Sequence, residues 1–94
     1  PLGWTCSGGV ARARFATGSF AAGVRLVVAI GAVADEMNHH PDVLLRYGTV
    51  TVEVTTHDAG GLSDLDVDLA TRISALAAGA GISAIVTDPI DPGP

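Results

Sequence analysis

The 94-residue sequence predicts an α+β two-layer sandwich, a four-stranded antiparallel sheet with helices packed on one face, and three features carry that expectation. From Thr49 to Thr56, Thr49, Thr51, Glu53 and Thr55 alternate with Val50, Val52 and Val54, the period-two pattern of a half-buried strand. Two other stretches, Phe20 to Met37 and Leu65 to Ala80, repeat apolar residues every three or four positions, as a helix face laid on a sheet does. The resulting order, strand, strand, helix, strand, strand, helix, is that of an antiparallel sheet covered on one side.

Each element has its own local signal. Trp4 to Cys6 and Val10 to Ala16 straddle a turn at Ser7-Gly8-Gly9, and Arg12 and Arg14 alternate with Ala11, Ala13 and Phe15, so the chain opens with a hairpin. Thr17 and Ser19 are candidate N-caps for the first helix, which tolerates Gly23 and Gly31 at some cost. Pro41 biases His40 away from helical dihedrals, so this helix ends near Asn38. Val43 to Tyr47 pairs with the Thr49 strand across a turn at Gly48, and Asp58 to Gly61 is a loop. Ser63 and Asp66 then stand in a capping-box arrangement, with Asp in place of the usual Glu, and Gly79 and Gly81 end the second helix. Residues 83–94 hold three prolines and read as a disordered tail or linker, which leaves residues 1–82 as the single domain.

Composition narrows the function classes. No apolar run approaches the roughly 20 residues of a membrane span, the longest, Val24 to Ile30, being broken by Arg25. Arg12 and Arg14 follow the first apolar residues instead of preceding an apolar core, unlike a secretory leader, and the expected location is the cytoplasm. Cys6 is the only cysteine, which excludes an internal disulfide and a cysteine-rich metal site, and it reads as a small buried residue. With a net charge of −5, no lysine, and no basic cluster beyond Arg12 and Arg14, direct nucleic-acid binding is not expected. A hydrophobic fraction of 48% in so short a chain points to self-association that covers apolar surface.

The polar chemistry is concentrated between Asp35 and Asp66. His39 and His40 stand where the first helix meets a loop, and His57 closes the best-defined strand. Asp35, Glu36 and Asp42 flank the first pair, and Asp58, Asp64 and Asp66 follow the last histidine. Imidazole exchanges protons near neutrality, with a reference pKa of about 6.5, and a neighbouring carboxylate fixes its tautomer and orientation. Three histidines converging on one small molecule would therefore supply acid and base. A lone histidine at a helix end is more often a solvated cap, but the clustering argues against that here. Metal ligation is a competing reading with poor spacing, since no His-x-x-x-His or Cys-x-x-Cys pair is present. Gly79-Ala80-Gly81 follows a helix instead of a strand and is no dinucleotide fingerprint.

Read as one pattern, Asp35-x3-His39-His40-Pro41-x5-Tyr47-x9-His57-x8-Asp66 resembles the signature of the pterin-4a-carbinolamine dehydratases. Gly3-Trp4 resembles the start of that family's first strand, and Thr56-His57 through Gly61-Leu62-Ser63 to Asp66 and Leu69-Ala70 resembles its second histidine loop and last helix. The resemblance implies a dimer or tetramer and a hydro-lyase reaction, in which a 4a-hydroxytetrahydropterin loses water to give the quinonoid dihydropterin. It implies no cofactor and no metal, the pterin being the substrate. Carried over by position, His39 and His57 become the acid and base and His40 binds and orients the pterin. Asn38, Thr55, Thr56 and Asp58 line the pocket, and Asp35 and Asp66 hold the histidines. Three departures accompany the resemblance: the family's first helix, expected before Trp4, is absent, Val43 stands where many members have Trp, and the stretch after Gly81 has no family counterpart. A non-catalytic binding or regulatory module of the same fold is the alternative function.

Overall fold

The computed structural model describes residues 3–55 and 61–86. The described elements are β1 (Thr5–Ser7), β2 (Val10–Ala16), α1 (Phe20–Met37), β3 (Asp42–Arg46), β4 (Thr49–Thr55), α2 (Asp64–Gly79) and β5 (Ser83–Ile85). The sheet runs β1-β2-β4-β3, with β5 also paired to β2, and every pairing is antiparallel. The α+β architecture is thus the one the periodicities predict, with five strands instead of four among the described residues.

The fifth strand corrects the reading of residues 83–85 as tail. Ser83, Ala84 and Ile85 pair with Ala16, Phe15 and Arg14, continuing along β2 past the short β1, so the two share one flank of the same strand. Its fit depends on Gly3, whose φ of +92° suits glycine and whose missing side chain leaves room for Ala84: a Cβ there would stand 2.6 Å from Ala84 Cβ. Residues 87–94, the remainder of the expected tail, lie outside the described residues.

The alternation in β2 and β4 decides which face is covered. Ala11, Ala13 and Phe15 of β2 and Val50, Val52 and Val54 of β4 are buried beneath the helices, while Arg12, Arg14, Thr51 and Glu53 face the other way. Leu26 and Ile30 of α1 and Leu69, Ile73 and Ala77 of α2 complete the core. Gly23 lets α1 approach the sheet closely, since a Cβ at that position would meet Leu45 Cδ1 at 2.7 Å. At the chain start, Trp4 packs edge-on to Phe15 and donates its indole N–H to Ser74 Oγ of α2 at 2.7 Å, which fastens β1 to the helical layer.

Both helices stop through the same device. Asn38 is left-handed (φ 50°, ψ 42°), with its N–H bonded to Asp35 O and the His39 N–H bonded to Ala34 O. Gly81 (φ +73°) repeats the arrangement after α2, where Gly81 N–H meets Ala78 O and Ile82 N–H meets Ala77 O. At the start of α1, Ser19 rather than Thr17 is the N-cap, and its Oγ accepts from Ala22 N–H.

Because Ile73 is fully buried in this single core, Ile73→Ala should lower unfolding free energy by about 2–5 kcal/mol. Val28→Ala, on an exposed face of α1, should stay within about 0.5 kcal/mol. Urea titration followed by circular dichroism checks both, and equal losses would contradict this placement of the core.

Candidate functional site

Antiparallel pairing gathers the chemistry at one end of the sandwich. Asp42 at the start of β3 is paired with Glu53 near the end of β4, and Thr55 at that end is paired with Val10 at the start of β2. The exit of α1, the exit of β4 and the first turn of α2 therefore meet at the same end. The left-handed Asn38 makes the turn there: it stops α1 and redirects the chain, so the next two residues project from a fixed helix end.

His39 and His40 diverge from that point. His39 turns inward, its Nε2 lying 2.6 Å from Asp66 Oδ1 on α2, with the imidazole only 15% exposed and the carboxylate 0% exposed. His40 turns outward, its Nε2 lying 2.9 Å from Asp35 Oδ1 in the last turn of α1, where both side chains face solvent. Each imidazole thus has its own carboxylate, one buried and one exposed.

Among the described residues, Asp66 is held from two directions. Its Oδ2 accepts the Ser63 N–H at 2.8 Å and lies 3.3 Å from Ser63 Oγ, while Oδ1 faces His39. The first contact belongs to the capping box that opens α2, so the shorter Asp serves where Glu is usual. An ionised carboxylate only accepts hydrogen bonds, and Asp66 so bonded requires the hydrogen on His39 Nε2. The Nδ1 atom of His39 is then the one left to exchange a proton. Ser63 was noted in the sequence only as a cap; its hold on the carboxylate behind His39 could have been inferred from the capping pattern once Asp66 was placed beside the histidine.

The other sequence-derived site residues fall as follows. Asn38 serves as the helix stop, with an exposed side chain. Thr55 donates its hydroxyl to Gly9 O at 2.9 Å, binding the end of β4 to the glycine turn between β1 and β2. Thr56, His57 and Asp58 lie outside the described residues. Glu36 of α1 reaches Arg72 of α2 at 2.9 Å, an exposed tie between the helices. Among the described residues, no group of three or more His, Cys, Asp or Glu is placed to hold a metal ion, and no helix is long and apolar enough to cross a membrane.

A two-layer α+β sandwich with a carboxylate-held histidine pair at the helix-loop end defines a class that sequence and structure comparison then narrows. Residues 1–76 match the family described as Pterin 4 alpha carbinolamine dehydratase. A protein of Sulfurisphaera tokodaii, provisionally named a pterin-4-alpha-carbinolamine dehydratase, is 46% identical over 74 residues, covering 79% of this chain and 80% of the relative. A Roseiflexus protein with the same provisional name is 45% identical over 71 residues and 76% of each chain. A Mycobacterium tuberculosis protein, again so named, is 39% identical over 74 residues and 79% of each chain. A Brucella melitensis crystal structure described as a transcriptional coactivator/pterin dehydratase has the same fold, with a TM-score of 0.76 at 24% identity over 81% of this chain and 83% of that one. The chain belongs to the pterin-4a-carbinolamine dehydratase family.

Two carboxylates in such different surroundings should differ in their effect on stability. Asp66→Ala strips a buried imidazole and the Ser63 amide of their acceptor and should cost about 1–3 kcal/mol. Asp35→Ala removes an exposed partner and should change stability by less than about 0.5 kcal/mol. Thermal unfolding of the two variants beside the unsubstituted protein is the comparison, and a silent Asp66→Ala would contradict the buried network.

Proposed function

We propose that the protein is a hydro-lyase that dehydrates a 4a-hydroxytetrahydropterin to the quinonoid dihydropterin, in the recycling of tetrahydrobiopterin. The observation that carries the reading is the His39–Asp66 contact, which holds a largely buried imidazole in one orientation against a buried carboxyl group. Membership of the dehydratase family supports the reaction class.

In the reaction, the N5 lone pair closes a C4a=N5 double bond as the C4a–O bond breaks. The departing hydroxyl takes up a proton and leaves as water, and N5 gives up its own proton, so one proton is donated and one accepted. His39 and His57 take these two roles. His39 suits either, because Asp66 holds the ring through Nε2 and leaves Nδ1 outside that contact. His40, more exposed and steadied by Asp35, binds and orients the pterin ring. Asn38, Thr55, Thr56 and Asp58 line the pocket, where the Thr55 hydroxyl, engaged with Gly9, contributes through the backbone it steadies. The pterin is the substrate, and the proposed chemistry calls on no cofactor or metal.

The test generates the carbinolamine in situ with an aromatic amino-acid hydroxylase and follows quinonoid formation by absorbance. His39→Ala should lower kcat by about 10²-fold or more, the usual contribution of a positioned acid or base. His40→Ala should act mainly on KM, as loss of uniform binding does. Full activity in a His39→Ala, His57→Ala double variant would rule out catalysis by these imidazoles, and an unsubstituted protein no faster than spontaneous dehydration would leave a binding module as the better reading.

A further inference from the structure

The face of the sheet turned away from the helices is not a plain solvated surface. Alternation puts Arg12 and Arg14 of β2, Thr51 and Glu53 of β4, and Asp42 and Leu44 of β3 on it, and the pairing registers set them in neighbouring rows. One row reads Arg12, Glu53, Asp42 across the three strands, and the next reads Arg14, Thr51, Leu44. All six line one cavity of about 450 Å³. Small-molecule pockets span roughly 300–1,000 Å³, so the space is of that order. The sheet separates it from His39, which reaches Asp66 of α2 on the other side.

The charges around this cavity are incompletely matched. Arg12 bonds to Glu53, its Nε lying 2.6 Å from Oε2. Asp42 stands directly across from Glu53 on the next strand, and like charges so placed destabilise a sheet unless a cation comes between them. Arg12 is on the far side of Glu53 from Asp42. Among the described residues, neither Asp42 nor Arg14 takes part in an ion pair. The two do not meet each other, being two strands apart and offset by two residues, roughly 12 Å between Cα atoms at ordinary strand spacings.

The third component is apolar. Leu44 is 54% exposed and stands beside Thr51 in the same row, on the side opposite Arg14. Thr51 therefore has a guanidinium to one side, an isobutyl group to the other, and the two opposed carboxylates in the next row. A ligand that satisfies all three needs an ammonium, a carboxylate and an apolar group diverging from one centre. An apolar anion would leave the carboxylates opposed, and an apolar cation would leave Arg14 without an acid.

We propose that this cavity binds a free α-amino acid with an apolar side chain. The ammonium, with three N–H donors, lies between Asp42 and Glu53. The carboxylate meets the guanidinium of Arg14, whose fork can hold it through two parallel hydrogen bonds. The side chain rests on Leu44, and the Cα lies over Thr51. None of these residues belongs to the proposed dehydration chemistry, so the two readings stand or fall separately.

L-leucine is the probe. Calorimetric titration into the full chain should show one saturable site per chain, with a Kd in the millimolar range or tighter. N-acetyl-L-leucine lacks the ammonium, L-leucinamide the carboxylate, and glycine the apolar side chain. Each should bind at least about tenfold more weakly, the scale of one charge-assisted hydrogen bond or one buried aliphatic group. In an NMR titration, leucine should shift the amide signals of Arg14, Leu44 and Thr51 and leave those of His39 and Asp66 unmoved.

Two variants complete the test. Arg14→Gln and Asp42→Asn alter exposed side chains, so each should keep the circular dichroism of the unsubstituted protein while binding leucine about tenfold more weakly. Should either fail to fold, the ligand series on the unsubstituted protein decides alone. No saturable leucine binding, derivatives that bind as tightly as leucine, folded variants with undiminished affinity, or shifts centred on His39 would each overturn the proposal.

Discussion

A carboxyl group taken fully out of water must find hydrogen-bond partners or it destabilises the fold, and among the described residues Asp66 finds them at two separate elements. One oxygen holds the first turn of α2, and the other reaches the histidine at the end of α1. Helix initiation and imidazole orientation are consequently one interaction. The relative placement of the helices inherits the same constraint, because α2 cannot slide along α1 without pulling the carboxylate from His39. The outer tie between Glu36 and Arg72 reinforces that placement at the surface, where salt weakens it.

The elements legible in the sequence were those whose two faces see different surroundings. Residues 49–55 announce a strand because every second side chain enters the core and the others do not. The end of α1 was legible because Pro41 limits how far a helix can run. β5 was not legible. Three residues are too few for a period to show, and what seats them, a glycine near the chain start and the free flank of β2, lies far away in sequence. The double duty of Asp66 was hidden for a similar reason. The capping pattern and the histidine pair were each visible, but 27 positions separate His39 from Asp66, and only the packing of α1 on α2 makes them one feature.

The two helix stops show how one local solution serves different ends. At Gly81 the left-handed residue carries no side chain and delivers the chain to the sheet as β5. At Asn38 the same backbone turn is made by a residue with a side chain, one of the few types that adopt it without large strain, and it delivers the chain to His39 and His40. The placement of His39 and His40 is thereby set by a helix terminus. A histidine one residue from a locked cap has little freedom to wander, which suits a group that must meet a proton at a defined position.

Trp4 is the sole tryptophan of the chain, and its position gives the protein a built-in optical reporter. The indole rests against Phe15 and bonds to Ser74, eight residues or about 12 Å along α2 from Asp66. Its emission therefore follows the docking of the first strand onto the helical layer and is remote from the histidines. A substitution at the site that leaves this emission unchanged has altered chemistry without loosening the scaffold, so lost catalysis and lost folding can be separated in one cuvette.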